Sequence, residues 1–178
     1  HESSSIGLFL PGKGKGIRLR ICYGGQSRNK QLITSMELTA LTSISAIDGR
    51  YRKHVQHLDE YFSEYALMKY RVLVEVEYLL FLERKKLFKL SGKCIKYLQK
   101  LAEDFGPEDA QEIKQIELTT NHDVKAVEYF LKEKIVGNSE LESLSEFFHF
   151  ACTSEDINNL AYALMLREGR DAVLLPAL

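Results

Sequence analysis

The sequence predicts an all-α protein, and three observations carry that reading. Prolines are few, three in 178 residues, so long stretches run without a backbone breaker. Apolar residues recur at i, i+3, i+4 and i+7 through most of the chain from Ser63 onward. Capping signals also stand where such runs begin: Ser63 before one, Gly106-Pro107 before another, and Thr153-Ser154 before a third.

Residues 1–35 read differently from the rest. They carry six basic residues against the single Glu2, and their Pro11-Gly12-Lys13-Gly14-Lys15-Gly16 run resists regular structure. We expect this stretch to be irregular, non-native and outside the fold. The glycine–lysine run lacks the G-x-x-x-x-G-K-[ST] spacing of a phosphate loop. Residues 36–178 hold the other 18 basic and 24 acidic side chains, a mildly acidic body poorly suited to nucleic acid.

Met36 to Tyr51 is expected to be an extended lead-in, with Asp48-Gly49 as a turn that aims Arg50 back at the body. A long helix should follow Ser63 and reach about Leu87. Its inward stripe would be Leu67, Tyr70, Val74, Tyr78, Phe81 and Leu82, with Arg71, Glu75 and Glu83 on the wet side. Further helices are predicted over 93–105, 108–117, 123–137, 139–148 and 155–168. Gly169 reads as a C-cap or tight bend before a last apolar helix over 170–178. No run approaches the roughly 20 apolar residues of a membrane span, so no membrane partner is expected. Cys22, Cys94 and Cys152 form no C-x-x-C pair. That pattern suits reduced thiols in the cytoplasm and offers no metal signature, and no cofactor is expected.

Two polar runs open helices. In Thr119-Thr120-Asn121-His122-Asp123, Asn121 is a good N-cap type and Asp123 brings a carboxylate to the first turn. In Cys152-Thr153-Ser154-Glu155-Asp156, Thr153 with Asp156 fits a capping signal. Such mouths present free N–H groups that favour anions, and two of them suggest a shared polar pocket. The same residue types are also ordinary helix caps. His149, between Phe148 and Phe150, reads as half-buried with its ring hydrogen-bonded.

The runs TTNHDVKAVEYFLKEK and SEFFHFACTSEDINNLAYALML, with Ser45-Ala46-Ile47-Asp48-Gly49-Arg50-Tyr51 and Phe62-Ser63-Glu64-Tyr65 before them, resemble the bacterial-type adenylosuccinate lyases of the fumarase/aspartase superfamily. The resemblance extends from Met36 to Leu178. It implies the N-terminal helical domain of such a lyase (36–169), cut at the start of the central helical bundle (170–178) of a homotetramer. The implied reaction is β-elimination of fumarate from adenylosuccinate, giving AMP, and from SAICAR, giving AICAR. Arg50 and Tyr51 would then hold the nucleotide phosphate, and Thr153 and Ser154 the succinyl carboxylates. Asn121, His122 and Asp123 would line the same pocket, with His122 contacting substrate or supporting the acid. The Thr-His-Gly-Gln and Gly-Ser-Ser-x-Met-Pro-His-Lys type runs that carry the family's acid and base do not occur, so this chain alone is expected to be inactive. Two other readings stay open: a helical interaction module, and another superfamily lyase acting on argininosuccinate or fumarate.

Overall fold

The computed structural model describes residues 5–8, 17–20, 38, 41–44, 48 and 51–178. The chain divides into two compact units, His1–Ser35 and Met36–Leu178. In the first, β1 (Ser5–Leu8) pairs antiparallel with β2 (Ile17–Arg20), Ser5 opposite Arg20 and Leu8 opposite Ile17. The expectation of an irregular stretch therefore fails over these eight residues. A turn-rich glycine–proline run between two short apolar segments is a hairpin signal in its own right.

The second unit is all-helical among its described residues. Two short helices, α1 (Arg52–Val55) and α2 (Asp59–Phe62), lead into α3 (Glu64–Arg84). Arg52 ties this entrance together: Nη1 donates to Asp59 Oδ1 at 2.5 Å and to the buried Asp48 at 3.4 Å, and Nη2 donates to the other Asp59 oxygen. Ser63 caps α3 by accepting the Ala66 N–H at 3.1 Å, and Tyr65 N–H is held by the Leu41 carbonyl at 2.9 Å.

Helix α3 is the axis of the unit and is buried on nearly every side, not on one stripe. Against expectation, Arg71 and Glu75 are buried on it, 4% and 0% exposed. Charges in a periodic run usually mark solvent, but these two have distant polar partners, and buried charge persists only when paired. Around α3 lie α4 (Gly92–Glu103), α5 (Pro107–Thr120), α6 (Asp123–Lys134), α7 (Ser139–Glu142) and α8 (Ser154–Gly169). Met68, Val72, Leu79, Leu98, Ile113, Val127, Phe130 and Leu131 fill the core between them.

Several boundaries depart from expectation for local reasons. Helix α5 runs on to Thr120. The helix expected over 139–148 stops at Glu142, where Ser143 Oγ donates to the Glu140 carbonyl at 2.7 Å and competes with the next turn. On α6, Tyr129 is 40% exposed, while Glu128 is buried against Lys125 and Lys132.

Gly169 neither caps nor bends the chain. Its φ is −62°, and the helix passes through a π-helical turn (Arg170–Leu174) into α9 (Leu175–Ala177). Its role is close approach, because a Cβ there would stand 2.5 Å from the Phe62 ring and 3.3 Å from Tyr61 Cβ. Gly169→Ala is therefore expected to destabilise the unit by about 1–3 kcal/mol through overpacking. Urea unfolding checks this, and an unchanged midpoint would mean the Phe62 ring swings aside freely. No helix among the described residues is long and apolar enough to cross a membrane.

Candidate functional site

The mouth of α6 is built by an abrupt reversal after α5. Asn121 takes a left-handed conformation, φ 50°, and is the C-cap of α5; the expected N-cap role falls to its neighbour. Asparagine tolerates that conformation better than most residues, so the same side chain serves either end of a helix. His122 caps α6, its Nδ1 accepting the Lys125 N–H at 3.2 Å. An imidazole that accepts at Nδ1 in its neutral form carries its proton on Nε2. His122 is half exposed, so that N–H is available outside the helix.

Asp123 is the first residue of α6, and its carboxylate reaches the Arg71 guanidinium at 2.6 Å. Burial pushes its carboxyl upward, but Arg71 and the Val124 N–H overcome this and hold it below the usual carboxylate range. The Nε of Arg71 also donates to Asn158 Oδ1 at 2.9 Å. One buried guanidinium thus joins the mouth of α6 to the second turn of α8. Ser154 lies four residues before Asn158, on the same face of α8. Arg71 thus holds the first turn of α6 beside the second turn of α8.

At the mouth of α8, Thr153 and Asp156 form a capping box. Thr153 N–H and Oγ donate to Asp156 Oδ2 at 2.7 and 2.8 Å, and Thr153 Oγ accepts the Asp156 N–H at 3.4 Å. Thr153 thus spends its hydroxyl proton on the cap. Ser154, half-buried and one residue inside, directs no hydroxyl bond to a described residue.

The loop entering this mouth contains two left-handed residues, His149 (φ 59°) and Ala151 (φ 57°), each costing of order 1–3 kcal/mol unless its surroundings impose it. The surroundings are Glu75, whose carboxylate accepts the His149 N–H at 2.9 Å and lies 2.6 Å from His149 Nδ1, and Tyr78, whose hydroxyl donates to the Phe150 carbonyl at 2.9 Å. The bond to Glu75 holds His149 above the ordinary histidine range despite burial. His149 is thus half-buried and ring-bonded, as its aromatic neighbours suggested. Burial pushes the Cys152 thiol up to about 11, which keeps it protonated and unreactive near neutrality.

Of the remaining expected residues, Tyr51 stands half exposed before α1, whereas Gly49 and Arg50 lie outside the described residues. A groove of about 410 Å³ on the α5–α6 corner is lined by Thr119, Thr120, Tyr129 and Lys132 among others, and it contains none of His122, Asp123, Thr153 and Ser154. Arg71, Glu75 and His149 are the contributors that the site reading did not include. An Arg-x-x-x-Glu pair inside an otherwise apolar helical run was the available signal.

Fold and site together define an all-α domain in which a buried arginine joins the N-terminus of α6 to the second turn of α8. A family model described as lyase matches residues 49–178. The adenylosuccinate lyase of Escherichia coli K12 is 54% identical over 145 residues, covering 79% of this chain and 32% of that protein. That of Vibrio cholerae is 52% identical over 145 residues with the same shares, and that of Buchnera aphidicola from Acyrthosiphon pisum is 47% identical over 150. The chain belongs to this lyase family, and it spans about a third of the length of the curated relatives it matches.

Proposed function

We propose that this chain supplies the N-terminal, substrate-binding part of an adenylosuccinate lyase. The whole enzyme eliminates fumarate from adenylosuccinate and from SAICAR. In that reaction a base takes a proton from the carbon beside a carboxylate, and an acid protonates the departing nitrogen. Charge builds on the carboxylate as an aci-dianion, so the site needs donors fixed in advance where that charge develops.

The observation that carries the reading is the Arg71 bridge, which ties the mouth of α6 to the second turn of α8. In our assignment, Ser154 and the first N–H groups of α8 receive a succinyl carboxylate. The His122 Nε2–H faces the purine side, and Asn121 and Asp123 shape the wall between them. Thr153 keeps α8 capped in place, and Arg50 and Tyr51 take the phosphate. The acid and base come from sequence beyond these residues. The assembly is a homotetramer working in the cytoplasm on free nucleotides, without nucleic-acid or membrane partners.

An absorbance assay tests this. The purified chain mixed with adenylosuccinate is expected to release no fumarate. A hybrid in which Met36–Leu178 replaces the matching segment of the Escherichia coli enzyme is expected to turn over. Robust release by the chain alone would overturn the assignment of acid and base elsewhere. A hybrid that folds and assembles but stays inactive would overturn the function.

A further inference from the structure

Arg71 and Glu75 sit one turn apart on α3, both buried, and neither takes part in the chemistry just described. Opposite charges at i and i+4 are placed to pair with each other on a helix. Here each reaches away instead, Arg71 to Asp123 and Asn158, Glu75 to the backbone and ring of His149. Their partners are 52, 87 and 74 residues distant in sequence. Burying two charges in a helix that apolar residues could fill is costly, and the best-attested return on such groups is register. What they hold in register is specific. Arg71 fixes the start of α6 against α8, and Glu75 fixes the left-handed loop that delivers Thr153 and Ser154.

We propose that Arg71 and Glu75 are positioning residues, a two-pronged clamp on α3 that sets the spacing and orientation of the two helix mouths. Its value for catalysis rests on the function proposed above, but the clamp itself is testable without it. The planar fork of arginine reaches Asp123 and Asn158 at once, which a lysine ammonium cannot do with the same geometry. The carboxylate of Glu75 meets a backbone N–H and an imidazole together. The charged groups facing His149 are Glu75 from α3 and Lys125 and Glu128 from α6. Because the His149–Glu75 bond favours the imidazolium, the grip is complete below the unfolded histidine value, ~6.5. It weakens as pH rises through the folded value, which lies higher.

Amide hydrogen exchange on the 178-residue chain, followed by NMR and divided at each pH by the rate of unstructured amides, reads the clamp directly. In the unsubstituted chain, protection at His149 is expected to fall about tenfold as pH rises through the histidine titration. Glu75→Gln, which keeps the shape and one acceptor, should abolish that pH dependence while helix content stays the same. Arg71→Lys should speed exchange at Val124 and Asn158 about tenfold and leave His149 alone. A pH profile unchanged by Glu75→Gln, or mouths undisturbed by Arg71→Lys, would overturn the clamp. So would a Glu75→Gln chain that no longer folds, since the residue would then be structural and not positioning.

Adenylosuccinate added to the same samples keeps the two ideas apart. Ligand shifts at the mouths that are equal in clamp variants and unsubstituted chain would overturn the clamp and leave the site standing. The expected exchange pattern with no ligand shifts at all would sustain the clamp and count against the proposed function.

Discussion

Phe130→Ala is expected to destabilise the helical unit by about 4 kcal/mol. Phe130 is 0% exposed on α6, and its ring meets Phe105 edge-on with centroids 6.0 Å apart. Phe105 in turn stacks on Tyr65 of α3, whose hydroxyl donates to the Phe105 carbonyl at 3.1 Å. The Lys134 ammonium lies 4.8 Å from the Phe130 ring centroid. Truncation thus removes an aromatic edge contact and a cation–π contact, and opens a hole between α3, α6 and the 105–106 turn. None of these partners can collapse into the hole without dragging the helix it anchors. A domain of this size holds about 5–15 kcal/mol in total, so the variant should retain only part of its stability. The midpoint of urea unfolding should drop with little change in slope. Leu118→Ala, at a side chain 76% exposed, should stay within about 0.5 kcal/mol of the original and serves as the control. A loss below about 1 kcal/mol for Phe130→Ala would mean that α6 is not part of the cooperative core.

That core was largely legible from the sequence, because the signals that set it are local. Ser63, Pro107 and Thr153 each start a helix where the chain's own chemistry demands it, by a side-chain acceptor, a fixed φ or a capping box. The apolar stripe of α3 likewise placed Tyr70, Val74, Tyr78, Phe81 and Leu82 inward. What escaped depends on partners far away in the chain. A charge in a periodic run reads as a solvent mark until its partner is known, and the partners of Arg71 and Glu75 are 52 and 74 residues off. Gly169 reads as a C-cap until Phe62 is seen against it. Asn121 failed for another reason, since its left-handed tolerance and its N-capping ability belong to one side chain and the spacing alone does not choose.

The same distinction governs the site. The residue types at both helix mouths were visible, as was the resemblance that paired them. The guanidinium that joins them was not. The outcome also separates members that looked equivalent, because Thr153 and Ser154 are adjacent hydroxyls in sequence yet differ in what they can do. Thr153 is committed to Asp156, whereas Ser154 sits on the Asn158 face with its hydroxyl uncommitted among the described residues.

That separation yields the largest expected effect on activity. In the Escherichia coli hybrid, Ser154→Ala is expected to lower kcat/KM about 10²-fold, the usual cost of removing one preorganised donor from developing negative charge. Ser154 is inside the cap and not the cap itself, so its removal should leave stability within about 0.5 kcal/mol and the lost rate can be read as chemistry. Thr153→Ala should do the reverse, costing about 1 kcal/mol of stability through the capping box and less of the rate. His122 needs a different substitution, because alanine would remove an N-cap along with an imidazole. His122→Asn keeps a side-chain acceptor for the Lys125 N–H while removing Nε2–H, so the hybrid should melt normally and still lose about 10²-fold in rate. Steady-state absorbance kinetics beside thermal unfolding decide between the alternatives. If Ser154→Ala and His122→Asn both keep near-original rates, the two mouths are plain helix caps.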